Sequence, residues 1–269
     1  MAVAPRRFTD EQLDAFAQAV RDDGAVVLKG LLPTETIARW REAFRPLLDA
    51  HIAREGHLVN RGPNRYYVTL PFALPFADPA VYENEDILGV VERLVGADGV
   101  MCQLATDTPL EGSDYQDLHR DTPPLFPEWG RETPPFQLAV NFPLVDVTLE
   151  NGPFEHVRGT HLLPKDEALA QIAAGELAIE PVTMATGDVM IRDVRHIHRG
   201  TPNRTAEPRP MVVIGYSRRW LFRPEVSIRI PKDAWAGLSD RAKQWLRFNP
   251  VVDSLDDAEG TEVYQSFAF

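Results

Sequence analysis

The segment FQLAVNFPLVDV, residues 136–147, decides the fold class. Its apolar residues come in short runs, interrupted by Asn141, Pro143 and Asp146. Stretches of the same texture lie on both sides of it: VMCQLAT (100–106), GPFEHV (152–157), GDVMIR (187–192) and PMVVIGYSRRW (210–220). Many short strands with Pro, Gly, Asp and Asn turns between them predict a β-sandwich or barrel. Between residues 100 and 220 only PKDEALAQIAAGE (164–176) looks helical. The expected core is therefore mainly β, a double-stranded β-helix of the jelly-roll or cupin-like type, with helices packed outside it.

Those helices are legible toward the N-terminus. In FTDEQLDAFAQAVRDDGAVVLKG (8–30), Thr9 and Gln12 have capping-box spacing. Leu13, Phe16, Ala17 and Val20 form one apolar stripe, and Gly24 supplies a C-terminal stop. AVVL (25–28) reads as a short buried strand. A second helix starts near Thr34, with Ile37, Trp40, Phe44 and Leu48 on one side, and Pro46 is expected to kink or shorten it. A third runs from about Glu85 to Val95 and ends at Gly96. PKDAWAGLSDRAKQWLRFN (231–249) predicts one or two more, and the tail after it is polar and acidic. The expected organisation is one domain over 1–269: a mostly helical part (1–99), a β core (100–220) and a C-terminal helical extension (221–269).

Composition narrows the function classes. A chain of 269 residues with 44% hydrophobic and 25% charged residues can bury a full core. Its net charge of −12 argues against a general nucleic-acid or anionic-membrane binder, both of which need clustered positive charge. Cys102 is the single cysteine, so neither an internal disulfide nor a thiolate metal cluster is available. It sits among apolar residues and is expected to be a buried, inert thiol in a reducing compartment. The stretch 1–12 has no apolar core of signal-peptide length, and no apolar run approaches the ~20 residues of a membrane span. A cytoplasmic location and a small-molecule partner are expected; the sequence leaves the oligomeric state open.

Two motifs carry chemistry. In QDLHRDTPPLF (116–126), His119 and Asp121 stand two apart, and on a strand such residues project to one face. Alone, that pair is common. GDVMIRDVRHIHRGTPN (187–203) adds His196 and His198. Two imidazoles and one carboxylate with coordination positions left open suit non-heme Fe(II) and its oxygen chemistry, although zinc accepts the same donors. Arg209 follows, eleven residues after His198. A buried arginine is costly without an anion, and its planar fork matches a carboxylate. It is either a structural ion pair or a clamp for a dicarboxylate. His51 and His57, in polar surroundings, are expected at the surface.

Taken together these segments resemble the phytanoyl-CoA dioxygenase family of iron(II)/2-oxoglutarate-dependent oxygenases. The resemblance covers most of the chain. Residues 8–44 are similar to the family's N-terminal helices and first strand, and LHRD to its His-x-Asp motif. LVDVTLENGPFEHVRGTHLLP (144–164) resembles its Asn-Gly turn and following Pro-Gly-Ser-His-like segment, and 187–210 its distal-histidine segment.

The resemblance implies His119, Asp121 and His198 as iron ligands and Arg209 as the group holding the distal carboxylate of 2-oxoglutarate. The cofactors it implies are Fe(II), 2-oxoglutarate and O2. It selects His198 over His196 because His198 precedes the Gly200-x-x-Asn203 step. His196 is then either a residue beside the ligands or substrate, or a structural one. His161 matches a turn histidine that is not a ligand. There are departures: Arg158 stands where the family commonly has Pro, and Asn141 where a relative has an aromatic ring. Asn141 and, on the strand before it, Gln103 are candidate cosubstrate contacts, each with a purely structural alternative. Asp121 bears on the outcome, because related halogenases replace this carboxylate with a small residue. The implied reaction is hydroxylation of a small molecule with release of succinate and CO2, or a desaturation or ring closure. The alternative class is a jelly-roll protein with a non-redox metal, a zinc-type hydrolase, isomerase or binding module, which has no need of Arg209. NRGPNRYYVTLPF (60–72) is the candidate substrate wall, with Arg65 and Tyr67 as contacts and His196 as a further one. Strand alternation places Arg120 on the outside; Arg192, Arg218 and Arg219 lie either near the site or on outer faces.

Overall fold

A computed structural model of the chain describes residues 5–56, 58–59 and 61–255. His57 and the acidic tail beyond residue 255 lie outside the described residues. Nine strands build two antiparallel sheets. They are β1 (Ala25–Leu28), β2 (Arg65–Thr69), β3 (Val100–Pro109), β4 (Gln137–Pro143), β5 (Phe154–His156), β6 (Glu180–Val182), β7 (Val189–Asp193), β8 (His198–Gly200) and β9 (Met211–Ser217). The large sheet has the order β1-β7-β4-β9-β3-β2, and the small one β8-β5-β6. This is the expected jelly roll. The part of the chain before residue 100 also supplies the two edges of the large sheet: β1, which is the strand read from AVVL, and β2, which the helical pattern of that part does not announce.

Side-chain alternation on the large sheet explains its two faces. One set of alternate residues, including Leu138, Val140 and Phe142 on β4 and Val212 and Ile214 on β9, enters the main apolar core. Helices α1 (Asp10–Asp23), α2 (Thr34–Glu55) and α3 (Glu85–Val95) supply the other half of that core through Leu13, Trp40, Phe44, Val90 and Leu94. The intervening residues, Gln103, Asp107, Ala139, Asn141, Met190, Arg192 and Met211, face a cavity on the opposite side. The register puts Gln103, Gly215, Ala139 and Arg192 in one row across four strands, so polar groups far apart in sequence converge. A side chain on Gly215 would meet the Gln103 side chain at 2.8 Å, which explains the glycine there.

The helix boundaries follow local chemistry. Thr9 and Gln12 make the reciprocal capping box at the start of α1, and Gly24 ends it in the left-handed conformation at φ 88°. Asn84 caps α3 by accepting from the Asp86 and Ile87 amides. Pro46 neither ends nor shortens α2, which spans 22 residues. The apolar side of α2 carries it through that position, because Ile37, Trp40, Phe44 and Leu48 are all buried on both flanks of the proline. His51, at the end of that stripe, is also buried rather than exposed, packing edge-on against Tyr66 with ring centres 5.9 Å apart. Helices α4 (Lys165–Ala173) and α5 (Asp240–Leu246) lie where the sequence indicates helix. Among the described residues no helix is long and apolar enough to cross a membrane.

Trp40 is the largest of the fully buried side chains in the helix–sheet core. It is fully buried and makes edge contacts with Phe76 and Phe142, both at 5.2 Å. Trp40→Ala is expected to lower unfolding stability by about 3–5 kcal/mol, through lost burial and the cavity left behind. Urea unfolding followed by far-UV circular dichroism checks this.

Candidate active site

His119 and His198 meet through the backbone. Each donates its N–H to the other's carbonyl, both at 3.0 Å, in an isolated antiparallel bridge. His119 therefore lies on a loop stitched to β8, not within a strand as its His-x-Asp spacing suggests. The Asp121 amide donates to the Val194 carbonyl at 3.0 Å, fixing the third residue against the same segment. The three side chains offer ligand atoms that all lie within 4.8 Å of one another. His198 Nε2 is 3.4 Å and His119 Nε2 3.9 Å from Asp121 Oδ1.

The other ring nitrogens set the tautomers. His119 Nδ1 lies 2.7 Å from the Asp117 carbonyl and His198 Nδ1 2.9 Å from the His196 carbonyl. A carbonyl only accepts, so each Nδ1 carries a proton, and Nε2 is the atom each imidazole can offer to a metal. Burial, with the neighbouring His198, pulls the His119 pKa down to about 4, so this imidazole is neutral at physiological pH. Burial alone would raise Asp121, but the Arg192 guanidinium and the two imidazoles outweigh it and hold the carboxyl well below its usual range. These are the protonation states a divalent metal requires.

Arg192 belongs to the candidate site, a placement that sequence reasoning left open. It projects from β7 into the cavity and donates through Nη2 to Asp121 Oδ2 at 2.7 Å. Its Nε donates to Asn141 Oδ1 at 3.1 Å, and the Asn141 amide donates to the Val212 carbonyl at 3.1 Å. One oxygen of Asp121 is thus occupied by arginine and the other is turned to the histidines. Asn141 lines the cavity, but both ends of its side chain are engaged in fixing Arg192. Gln103 and Tyr67 also line the cavity, where the Gln103 amide donates to the Tyr67 hydroxyl at 2.5 Å.

Arg209 lines the same cavity of about 90 Å³ and is 2% exposed. Among the described residues its Nε has no hydrogen-bond partner, and burial pulls its pKa down to about 10. The nearby carboxylate, Asp107, is already engaged by Arg65 at 3.0 Å. Arg65 itself is a correction. It does not line the cavity, because its guanidinium is committed to Asp107 and to the Thr201 carbonyl at 2.7 Å. His196 is a second correction: it is fully buried, turned to the Asp193 carbonyl at 2.6 Å, and does not reach the cavity. Cys102 is buried, with its thiol pushed up to about 11 by burial, as an inert residue should be.

Arg120 is the third correction. It is 1% exposed and points inward. Its Nη1 donates to Glu132 at 2.7 Å, and its Nη2 to the Thr160 and Leu163 carbonyls. Glu132 also accepts from Arg195 at 3.1 Å, and Arg195 grips Asp193 through two further bonds. The network clamps the loop after the His-x-Asp segment onto the segment leading to His198. Alternation failed at Arg120 because residues 119–121 are not a strand. Arg218 donates to the Pro135 and Leu94 carbonyls, and Arg219 pairs with Asp98 at the surface.

A jelly roll whose arginine-lined cavity also presents two histidines and one carboxylate close to one another defines a class of metal-dependent protein. The family model described as phytanoyl-CoA dioxygenase (PhyH) matches residues 20–211, a span that includes His119, Asp121, His198 and Arg209. The chain belongs to that family. The multifunctional dioxygenase ausE of Penicillium brasilianum is 24% identical over 260 residues, covering 90% of this chain and 85% of that protein. The solved structure of the epimerase SnoN in complex with Fe3+, alpha ketoglutarate and nogalamycin RO aligns with a TM-score of 0.60. The identity is 24%, over 78% of this chain and 85% of SnoN. EctD from S. alaskensis with 2-oxoglutarate and 5-hydroxyectoine aligns with a TM-score of 0.57 at 21% identity, over 78% of this chain and 76% of EctD. At these identities the structural likeness speaks to the fold.

The buried histidines make a pH prediction. His156, a non-ligand, is held near pKa 4 by burial and by Arg158, as His119 is by its own surroundings. Below the unfolded value of about 6.5, the unfolded chain takes up protons that the folded protein refuses. The metal-free protein is therefore expected to lose stability as pH falls from about 6.5 to 4, each such histidine contributing on the order of 1 kcal/mol per pH unit. His156→Asn is expected to flatten the slope in that window. Thermal melts across pH check both.

Proposed function

We propose that this protein is a non-heme iron(II)- and 2-oxoglutarate-dependent dioxygenase that hydroxylates an unactivated C–H bond of a small molecule, releasing succinate and CO2. The observation that carries this reading is the pairing, in one cavity, of the His119–Asp121–His198 donor set with the buried guanidinium of Arg209. The donor set fits iron(II): two imidazoles and a carboxylate, with coordination positions left over for a cosubstrate. Arg209 fits a dicarboxylate, since a buried arginine whose Nε has no partner among the described residues, and whose neighbouring acid Asp107 is already paired with Arg65, favours an anion that comes from outside. Zinc would satisfy the same three donors. A zinc hydrolase or isomerase gives Arg209 nothing to do, so the oxygenase reading accounts for more of the site.

When bound, the iron and its cosubstrate would supply the dioxygen-derived oxidant that takes a hydrogen atom from the substrate. The chain's own part is binding, orientation and exclusion of water. Arg209 would anchor the distal carboxylate of 2-oxoglutarate and so fix the direction in which its other end meets the metal. Arg192 would keep Asp121 bound through a single oxygen by holding the second, which preserves open positions. Asp121 fills the place a halide would need, which favours hydroxylation over halogen transfer. The inner faces of β4 and β9 shield the site with Ala139, Met211 and Val213.

Succinate formation in the absence of substrate tests this directly. Wild-type protein with Fe(II), 2-oxoglutarate and air is expected to form succinate slowly, and Asp121→Ala to reduce that rate to background. Arg209→Ala is expected to raise the half-saturating 2-oxoglutarate concentration about 100-fold, the scale of losing one partner of a buried charge pair. Persistent turnover in Asp121→Ala would remove that residue from the ligand set, and unchanged saturation in Arg209→Ala would remove the cosubstrate clamp.

A further inference from the structure

Phe154 lines the cavity from the start of β5, beside the three donors rather than among them. In the small sheet it stands opposite Gly200 of β8. Gly200 offers no side chain there. The next residue on the same face of β8 is His198, within the diagonal reach of an aromatic ring. The Phe154 ring stacks on the His198 imidazole, with ring centres 5.0 Å apart and planes 27° from parallel.

The same ring also meets the large sheet. The central carbon of the Arg192 guanidinium, projecting from β7, lies over it at 5.2 Å from its centre. Arg192 is held by its edges through Asn141 at Nε and Asp121 at Nη2. Bonds in the plane of a guanidinium leave it able to tip about the line that joins them, and a ring against its face removes that freedom. Phe154 thus touches one metal-ligand candidate, His198, and the residue that grips another, Asp121. These two arrive from different sheets.

Packing alone does not ask for a ring here. The apolar cluster that Phe154 joins consists of Val147, Met184, Met190 and Met211, all aliphatic, and a leucine or methionine would extend it as well. What an aliphatic side chain lacks is a flat face of negative potential. Such a face favours the cation above it, and it favours an imidazole that turns electron-poor when it coordinates a metal.

Building on the metal site of the proposed oxygenase reading, we infer that Phe154 is a positioning residue of that site. Its ring sets the orientation of the His198 imidazole directly and that of the Asp121 carboxylate through Arg192, and so fixes two of the three donors.

The test measures Mn(II) affinity calorimetrically and, anaerobically, the visible band of the protein with Fe(II) and 2-oxoglutarate. Phe154→Leu keeps an apolar side chain and loses the ring. It is expected to weaken Mn(II) binding about tenfold, the scale of losing a group that orients a metal ligand, and to shift the band maximum. Phe154→Tyr keeps the ring and is expected to bind Mn(II) as wild type does. Val147→Ala, in the same apolar cluster but outside the cavity lining, is expected to lower the melting temperature and leave Mn(II) affinity unchanged. Because the ring acts partly through Arg192, Phe154→Leu should weaken Mn(II) binding by a smaller factor in an Arg192→Gln background than in wild type. Thermal melts establish folding, and Phe154→Met carries the same test if the leucine variant is unfolded. Unchanged Mn(II) affinity in the folded ringless variant, equal weakening in Phe154→Tyr or Val147→Ala, or the same factor in both backgrounds would overturn the inference. Failure of the oxygenase reading shows separately, as wild-type protein that binds Mn(II) but then takes up no 2-oxoglutarate saturably.

Discussion

Two backbone hydrogen bonds hold the site together. The reciprocal 3.0 Å pair between His119 and His198 joins a loop that leaves the large sheet to a strand of the small sheet. Nothing in the side chains alone would bring these histidines into register. With the bridge in place, both imidazoles find a carbonyl for Nδ1 within their own segments, at Asp117 and His196, so their orientation costs no long-range partner. Asp121 follows two residues later, pinned by the Val194 carbonyl. The buried Arg120–Glu132–Arg195–Asp193 network then ties both segments down from behind. A network of this kind is weak evidence for stability as such, because desolvation offsets most of its Coulombic gain. Its geometry fits a different role, holding two irregular segments in one arrangement.

The large sheet solves a conflict between stability and chemistry by alternation. On β4, Leu138, Val140 and Phe142 pack against helices, while Gln137, Ala139 and Asn141 look into the cavity. Helix packing on one face buries enough apolar surface to tolerate polar and charged groups on the other. Several arginines line the resulting cavity although the chain as a whole is acidic. Buried guanidinium groups need anions, and here Asp121 and Asp107 satisfy Arg192 and Arg65, leaving Arg209 turned toward whatever enters.

Much of this was legible in the sequence, and the failures have one cause. The texture around residues 136–147 indicated short strands, the capping box at Thr9 and Gln12 set the first helix, and family motifs pointed to His119, Asp121, His198 and Arg209. Each of those signals is local or carried by ordered motifs. The misplaced residues depend on pairing between distant segments. Arg65 reads as a wall residue until β2 is known to pair with β3, where Asp107 takes its charge. Arg120 reads as outward only if 119–121 is a strand. Arg192 sits in GDVMIR, whose parity is visible, but which parity faces inward depends on the register of β7 with β4. His51 looks like a helix-surface residue until Tyr66 arrives beside it.

The central claim is that the three donors and Arg209 form one binding unit for iron(II) and 2-oxoglutarate. Anaerobic absorption spectroscopy tests it most directly. Fe(II) and 2-oxoglutarate together are expected to give a weak visible metal-to-ligand band in the wild-type protein that neither gives alone. In Arg209→Ala the band should appear only at much higher cosubstrate concentration. Absence of the band in metal-loaded wild-type protein at saturating 2-oxoglutarate would contradict the account.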